Sequence, residues 1–136
     1  MTIKRCKPVK FSGEVLVTDP GYVFPDTSDW KVLCRLIKKP GYLKLDDNYP
    51  VFVCNTAYGD GRFLLRKNNK IASDSIGVDS GMLSVIPKKT YEHLLQNAGT
   101  EPNPLVVKWI NIKRPAKVEV IRRGDWKIAE YMVITS

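Results

Sequence analysis

Three aspartates stand in short glycine-bearing turns: Asp19 in Thr18-Asp19-Pro20-Gly21-Tyr22, Asp60 in Tyr58-Gly59-Asp60-Gly61, and Asp79 in Val78-Asp79-Ser80-Gly81. Turn carboxylates suit two chemistries. They ligate hard cations such as Mg²⁺ and Ca²⁺, and as a group they serve as acid and base. If the fold gathers the turns at one end of a sheet, Asp19, Asp60 and Asp79 form a candidate centre for metal-dependent phosphoester hydrolysis. The architectural reading is the stronger one. Aspartate accepts backbone N–H groups in turns, and glycine supplies positive φ. The spacing matches no calcium loop, since D-x-D-x-D-G is absent. On this reading the chain holds no metal and needs no cofactor.

Aromatic and cationic residues beside the same turns define a second candidate site. Tyr22, Tyr42, Tyr49 and Tyr58 all adjoin expected turns, close to Lys and Arg. Aromatic faces with cations hold a nucleobase and its phosphate. Tyr22, Tyr58, Arg62, Arg66 and Ser80 are the ligand contacts this implies, with the three aspartates shaping the loops. Nucleophilic catalysis has little support. His93 is the single histidine, placed mid-helix beside Glu92 and Leu94, and no local partner completes a dyad. Gly59-Asp60-Gly61 lacks the Lys and the following helix of a phosphate loop.

The elements that must position these residues are mostly strands. Lys10 to Thr18 reads as a strand stopped by Asp19-Pro20-Gly21. Trp30, Leu33, Cys34 and Ile37 recur at helical spacing, with Ser28 or Asp29 as N-cap and Lys38-Lys39-Pro40-Gly41 as the stop. Pro50 to Asn55 and Arg62 to Lys67 flank the second turn as run, tight turn, run, which predicts a hairpin. Asn68-Asn69 turns the chain into Ile71 to Val78, and Met82 to Ile86 follows. Pro87 suits a first helical turn. Tyr91, Leu94, Leu95 and Ala98 mark one helical face that Gly99 ends. Thr100 to Pro104 is a loop. Leu105 to Ile112, Lys117 to Arg122 and Trp126 to Thr135 complete the strands. Seven or eight short strands with one or two helices predict a mainly β, α+β fold: an antiparallel sandwich or partly open barrel. Residues 1–136 read as a single domain.

The chain has 22 basic and 14 acidic side chains, a formal net charge of +8. That excess favours anionic partners. Pro104 to Ile128 alone holds seven basic residues, which suits either a solvated face or a nucleic-acid stripe. Cys6, Cys34 and Cys54 are odd in number and form no C-x-x-C pair, so they are expected as buried free thiols. Trp30, Trp109 and Trp126 are expected in the core. The basic amino terminus lacks a signal-peptide apolar stretch, and no apolar run approaches the ~20 residues of a membrane span. A cytoplasmic protein with no membrane contact is the expectation, and its oligomeric state is open.

The ordered motifs add a resemblance. Ser12-Gly13 before an apolar strand, then Thr18-Asp19-Pro20-Gly21-Tyr22, then Asp29-Trp30 at a helix start, resembles small phage and bacterial proteins of unassigned function marked by S/T-D-P-C-Y. Tyr58-Gly59-Asp60-Gly61 and Val78-Asp79-Ser80-Gly81 resemble their G-D-G and V-D-A/S-G motifs. The likeness spans residues 11 to 87. It implies a compact β-rich fold and a viral origin, and no activity. Gly21 stands where that motif has Cys, which removes a catalytic thiol at the first turn. The expectation is a non-catalytic binding protein that engages an anionic small molecule, nucleotide-like, or a host protein. The alternatives are the metal-dependent hydrolase and a nucleic-acid binder.

Overall fold

A computed structural model describes residues 1–24, 26–56, 59–98, 107–122 and 124–134. Its strands are β1 (Ile3–Cys6), β2 (Phe11–Thr18), β3 (Gly41–Leu45), β4 (Tyr49–Asn55), β5 (Gly61–Lys67), β6 (Lys70–Val78), β7 (Met82–Pro87), β8 (Lys108–Ala116), β9 (Val118–Arg122), β10 (Asp125–Ile128) and β11 (Tyr131–Ile134). Helices α1 (Thr27–Leu36) and α2 (Lys88–Ala98) complete the set. The strands form two sheets, six-stranded in the order β1-β3-β4-β7-β2-β8 and five-stranded in the order β6-β5-β11-β10-β9. Every neighbouring pair is antiparallel. The protein is an α+β sandwich, its sheets not closed into a barrel.

The two sheets carry different sequence patterns because they are buried differently. Val15-Leu16-Val17 and Val51-Phe52-Val53-Cys54 are buried on consecutive residues. Alternate side chains point to opposite faces, so the central strands of the six-stranded sheet are covered on both. Val15, Val17, Phe52 and Cys54 face the other sheet, where they meet Phe63, Leu65, Ile76, Trp126, Ile128 and Val133. Leu16, Leu43, Leu45, Val51 and Val53 face the helices, meeting Leu33, Ile37 and Leu94. The five-stranded sheet alternates instead. Phe63 and Leu65 are buried while Arg62 is exposed and Leu64 and Arg66 are half-buried, the mark of a sheet packed on one face.

Several local expectations give way to this arrangement. The predicted hairpin between Pro50–Asn55 and Arg62–Lys67 does not form. β4 pairs with β3 and β7 in one sheet, and β5 with β6 and β11 in the other. The second turn is therefore a crossing between sheets. The run expected from Trp126 to Thr135 is two strands, β10 and β11, folded back at Ala129-Glu130 with Ala129 at φ 50°. β1 and β3 were not anticipated: Lys and Arg interrupt one, and Pro40-Gly41 opens the other. Pro87 closes β7 opposite Val15, ahead of α2. Asp26 caps α1, accepting from the Ser28 and Asp29 amides at 2.8 and 3.1 Å, so neither Ser28 nor Asp29 is the N-cap. Cys34 turns out of the expected helical stripe into solvent and Cys6 is half-buried, leaving Cys54 as the one thiol in the core. Trp126 is fully buried, Trp30 is half-buried, and Trp109 is 44% exposed, edge-on to Tyr91. The Thr100–Pro104 loop and Leu105 lie outside the described residues.

Arg5 shows how the sheet edge holds a helix end. Its Nη1 donates to the Leu36 carbonyl at 2.6 Å, satisfying one of the orphan acceptors at the end of α1. The guanidinium lies across Gly41, where a Cβ would stand 2.5 Å from Nη2. Gly41→Ala is expected to push Arg5 off the helix end and cost about 1 kcal/mol, near the net worth of one hydrogen bond. Arg5→Met should cost about as much, and the double variant little more than either alone. Denaturant melts of the three variants check this. Additive losses would separate Gly41 from the Arg5 cap.

Candidate functional site

The three acidic turns meet at one end of the sandwich, and Asp19 is what joins them. β2 ends at Thr18, and Asp19 opens a 3-10 turn over Pro20–Tyr22. Its side chain, 1% exposed, accepts four hydrogen bonds. Oδ1 takes the Gly21 amide at 2.7 Å and the Ser80 hydroxyl at 2.6 Å. Oδ2 takes the Asp79 amide at 2.7 Å and the Ser80 amide at 2.8 Å. A carboxylate offers about four lone-pair sites, and Asp19 has all of them filled. Burial of that charge is offset by these donors.

The donors come from the corner where β6, in one sheet, passes to β7 in the other. That corner holds the second one in turn. The Thr56 amide donates to the Gly81 carbonyl at 2.9 Å, and the Thr56 hydroxyl to the Gly59 carbonyl at 2.6 Å. Gly81 (φ 72°) and Gly59 (φ 81°) take the left-handed backbone these bends need. A Cβ on Gly81 would lie 3.6 Å from the Gly59 Cα, so the corners are in contact. Behind them the Ser84 hydroxyl donates to the Thr18 carbonyl at 2.7 Å.

The phenol of Tyr22 lies over this junction and donates to Asp79 Oδ2 at 2.5 Å. Burial, that hydrogen bond and the charges of Asp79, Asp19 and Asp60 push its pKa up to about 12. Tyr22 is a protonated donor across the neutral range. Asp60 and Asp79 are exposed, while Asp19 is sealed. Among the described residues no group of three or more His, Cys, Asp or Glu is placed to hold a metal ion.

The five expected ligand contacts divide. Tyr22 and Ser80 belong to the Asp19 junction, and the Ser80 hydroxyl proton is engaged there. Tyr58 lies outside the described residues. Arg62 and Arg66 stand on the outward face of β5, paired across from Gly77 and Ile71. Tyr42 is buried in the core, where its hydroxyl accepts from the Val118 amide at 2.7 Å. Of the basic residues of the Pro104–Ile128 stretch, Lys108, Lys113 and Arg114 lie on β8 in one sheet, and Arg122 and Lys127 on β9 and β10 in the other. Cavities among the described residues include one of about 660 Å³ lined by Trp30, Val32 and Cys34 among α1 residues, and one of about 200 Å³ lined by Lys113, Arg114 and Glu130 among others.

Sequence reasoning missed one cluster. His93 Nε2 lies 2.7 Å from Asp46 Oδ2, and the imidazole stacks on Tyr49 at 3.8 Å between ring centroids. Asp46 Oδ1 also accepts the Thr2 amide at 2.8 Å. The carboxylate thus ties α2, the β3–β4 turn and the chain start together. No local signal links residues so far apart in sequence. Comparison with protein-family models, curated proteins and solved structures finds no match.

Asp19→Ala removes the shared acceptor of four donors. It is expected to cost about 3 kcal/mol or more, since bonds to a charged group contribute about 1.5–3 kcal/mol each. Asp60→Asn should leave the melting temperature nearly unchanged. Equal small effects in thermal melts would deny Asp19 its joining role.

The Thr2 amide and then His93 hold the Asp46 carboxyl below its usual range. A depressed folded-state pKa adds stability above the unfolded value, and that stability is lost as pH falls through the folded one. Asp46→Asn should therefore melt below wild type at pH 6, and the gap should close as pH falls below about 4. A gap that stays constant down to pH 2 would contradict this linkage.

Proposed function

We propose that the protein is a non-catalytic binding protein whose partner is anionic. The observation that carries this reading is the saturated carboxylate of Asp19. A metal ligand or general base needs a free lone pair, and Asp19 has each of its four occupied by a protein donor. The acidic turns thereby do architectural work. What remains for a partner is the net charge of +8, which steers anions toward the surface.

The junction itself suits a phosphate poorly. Asp60 and Asp79 present carboxylates there, and Tyr22 is engaged with Asp79. Arg62 and Arg66 lie on an outward sheet face; Arg62 stands at the rim end of β5, two residues from Asp60, and Arg66 lies farther along the strand, where it offers the anion a better position. A nucleotide-like metabolite is therefore less favoured than a larger anionic partner. The phage-like motif order adds a role for such a protein, the engagement of a host factor.

The test has two arms. With a generic phosphodiester and Mg²⁺ or Mn²⁺, no turnover is expected. Turnover abolished by Asp60→Asn with an unchanged melt would overturn the non-catalytic reading. In the second arm the protein meets polyglutamate, single-stranded DNA, ATP and a cyclic nucleotide at about 0.15 M salt, where distant surface charges are largely screened. Binding to at least one polyanion is expected. Silence with every member would overturn the anionic partner.

A further inference from the structure

The outward face of the five-stranded sheet carries a cationic and apolar surface. Opposite residues in antiparallel strands share a face. The register therefore sets Ile71, Arg66, Met132, Lys127 and Glu119 side by side across β6, β5, β11, β10 and β9. Leu64 and Arg62 continue the face along β5. Both helices pack against the other sheet, through Leu33, Ile37 and Leu94. Ile71 is 63% exposed, a large apolar side chain in solvent.

From these observations we infer that this face is a docking surface for an acidic segment of another protein, one with apolar side chains between its carboxylates. The inference rests on the anionic-partner reading and names the partner's class. Charge complementarity sets the sign. Arg62 and Arg66 make no ion pair among the described residues, and the one acidic residue in the row, Glu119, lies at its end, 4.0 Å from Lys127. Arg66 is half-buried, and a carboxylate is the partner a guanidinium prefers.

The apolar members choose between classes of polyanion. Leu64, Met132 and Ile71 separate the cations, and Arg with Met is a composition enriched at protein interfaces. Single-stranded nucleic acid is held on sheets by aromatic platforms. The aromatic residues of these strands, Phe63, Trp126 and Tyr131, are all buried in the inter-sheet core, so the described outward residues offer no ring to a base.

The experiment measures binding by fluorescence anisotropy at about 0.15 M salt. The probes are a labelled alternating Glu-Leu peptide, an all-Glu peptide of equal charge and a single-stranded oligonucleotide. The Glu-Leu peptide is expected to bind tightest. Arg62→Glu with Arg66→Glu should weaken it at least tenfold. Lys113→Glu with Arg114→Glu, the same charge change on β8, should weaken it less than threefold. Leu64→Ser should weaken the Glu-Leu peptide and leave the all-Glu peptide unchanged. Equal losses in the two double variants would overturn the inference, because charge alone would then explain binding. Tighter binding of the oligonucleotide would overturn it as well. In both cases the anionic-partner reading survives. Failure of every polyanion would bring down both together.

Discussion

A buried carboxylate with four donors is the constraint on which the molecule depends. A sandwich needs places where the chain leaves one sheet and enters the other, and those corners expose backbone groups that no ladder satisfies. Here two such corners, between β4 and β5 and between β6 and β7, are packed against each other. Asp19 fastens the second through the Asp79 and Ser80 amides, and Gly81 fastens the first through Thr56. Loss of the carboxylate would leave buried N–H groups unpaired at the point where the sheets are joined. The glycines belong to the same device, since Gly59 and Gly81 adopt the positive φ that these bends need.

Unequal burial of the two sheets decides where a partner can dock. The central strands of the six-stranded sheet use both faces for the fold, one in the inter-sheet core and one against the helices. The five-stranded sheet spends one, which leaves the other as a broad surface held by a rigid ladder. An open sheet face with spaced cations discriminates between partners by length and charge pattern more than by the shape of a small molecule. That is the physical reason for placing recognition on the sheet face and structure at the acidic corners.

Much of this was legible in the sequence, and the failures share a cause. Apolar runs and Asn-Gly-Asp punctuation located β2, β4, β5, β6 and both helices, because those signals are local. The aspartates of the three turns were likewise visible as a set. Periodicity does not say which sheet a strand joins, so Tyr58-Gly59-Asp60-Gly61 looked like a hairpin turn when it is a corner. β1 and β3 were hidden because charge and Pro-Gly broke their patterns while long-range pairing, Leu45 with Ile3 and Gly41 with Val53, held them in place. The Asp46–His93 contact depends wholly on how α2 lies over the β3–β4 turn, which no spacing rule reports.

The distribution of acidic residues ties the two halves of the structure together. Most carboxylates have partners within the molecule: Asp19 at the junction, Asp26 at the start of α1, Asp46 with His93, Asp79 with Tyr22, Asp125 with Arg122 and Glu130 with Lys67. These carboxylates are held close to donors, and the nearby dipoles and cations answer much of their local field. Arg62 and Arg66 have no such counterpart among the described residues. The row across the bare face accordingly carries Arg66 and Lys127 against Glu119, with Arg62 beside it along β5.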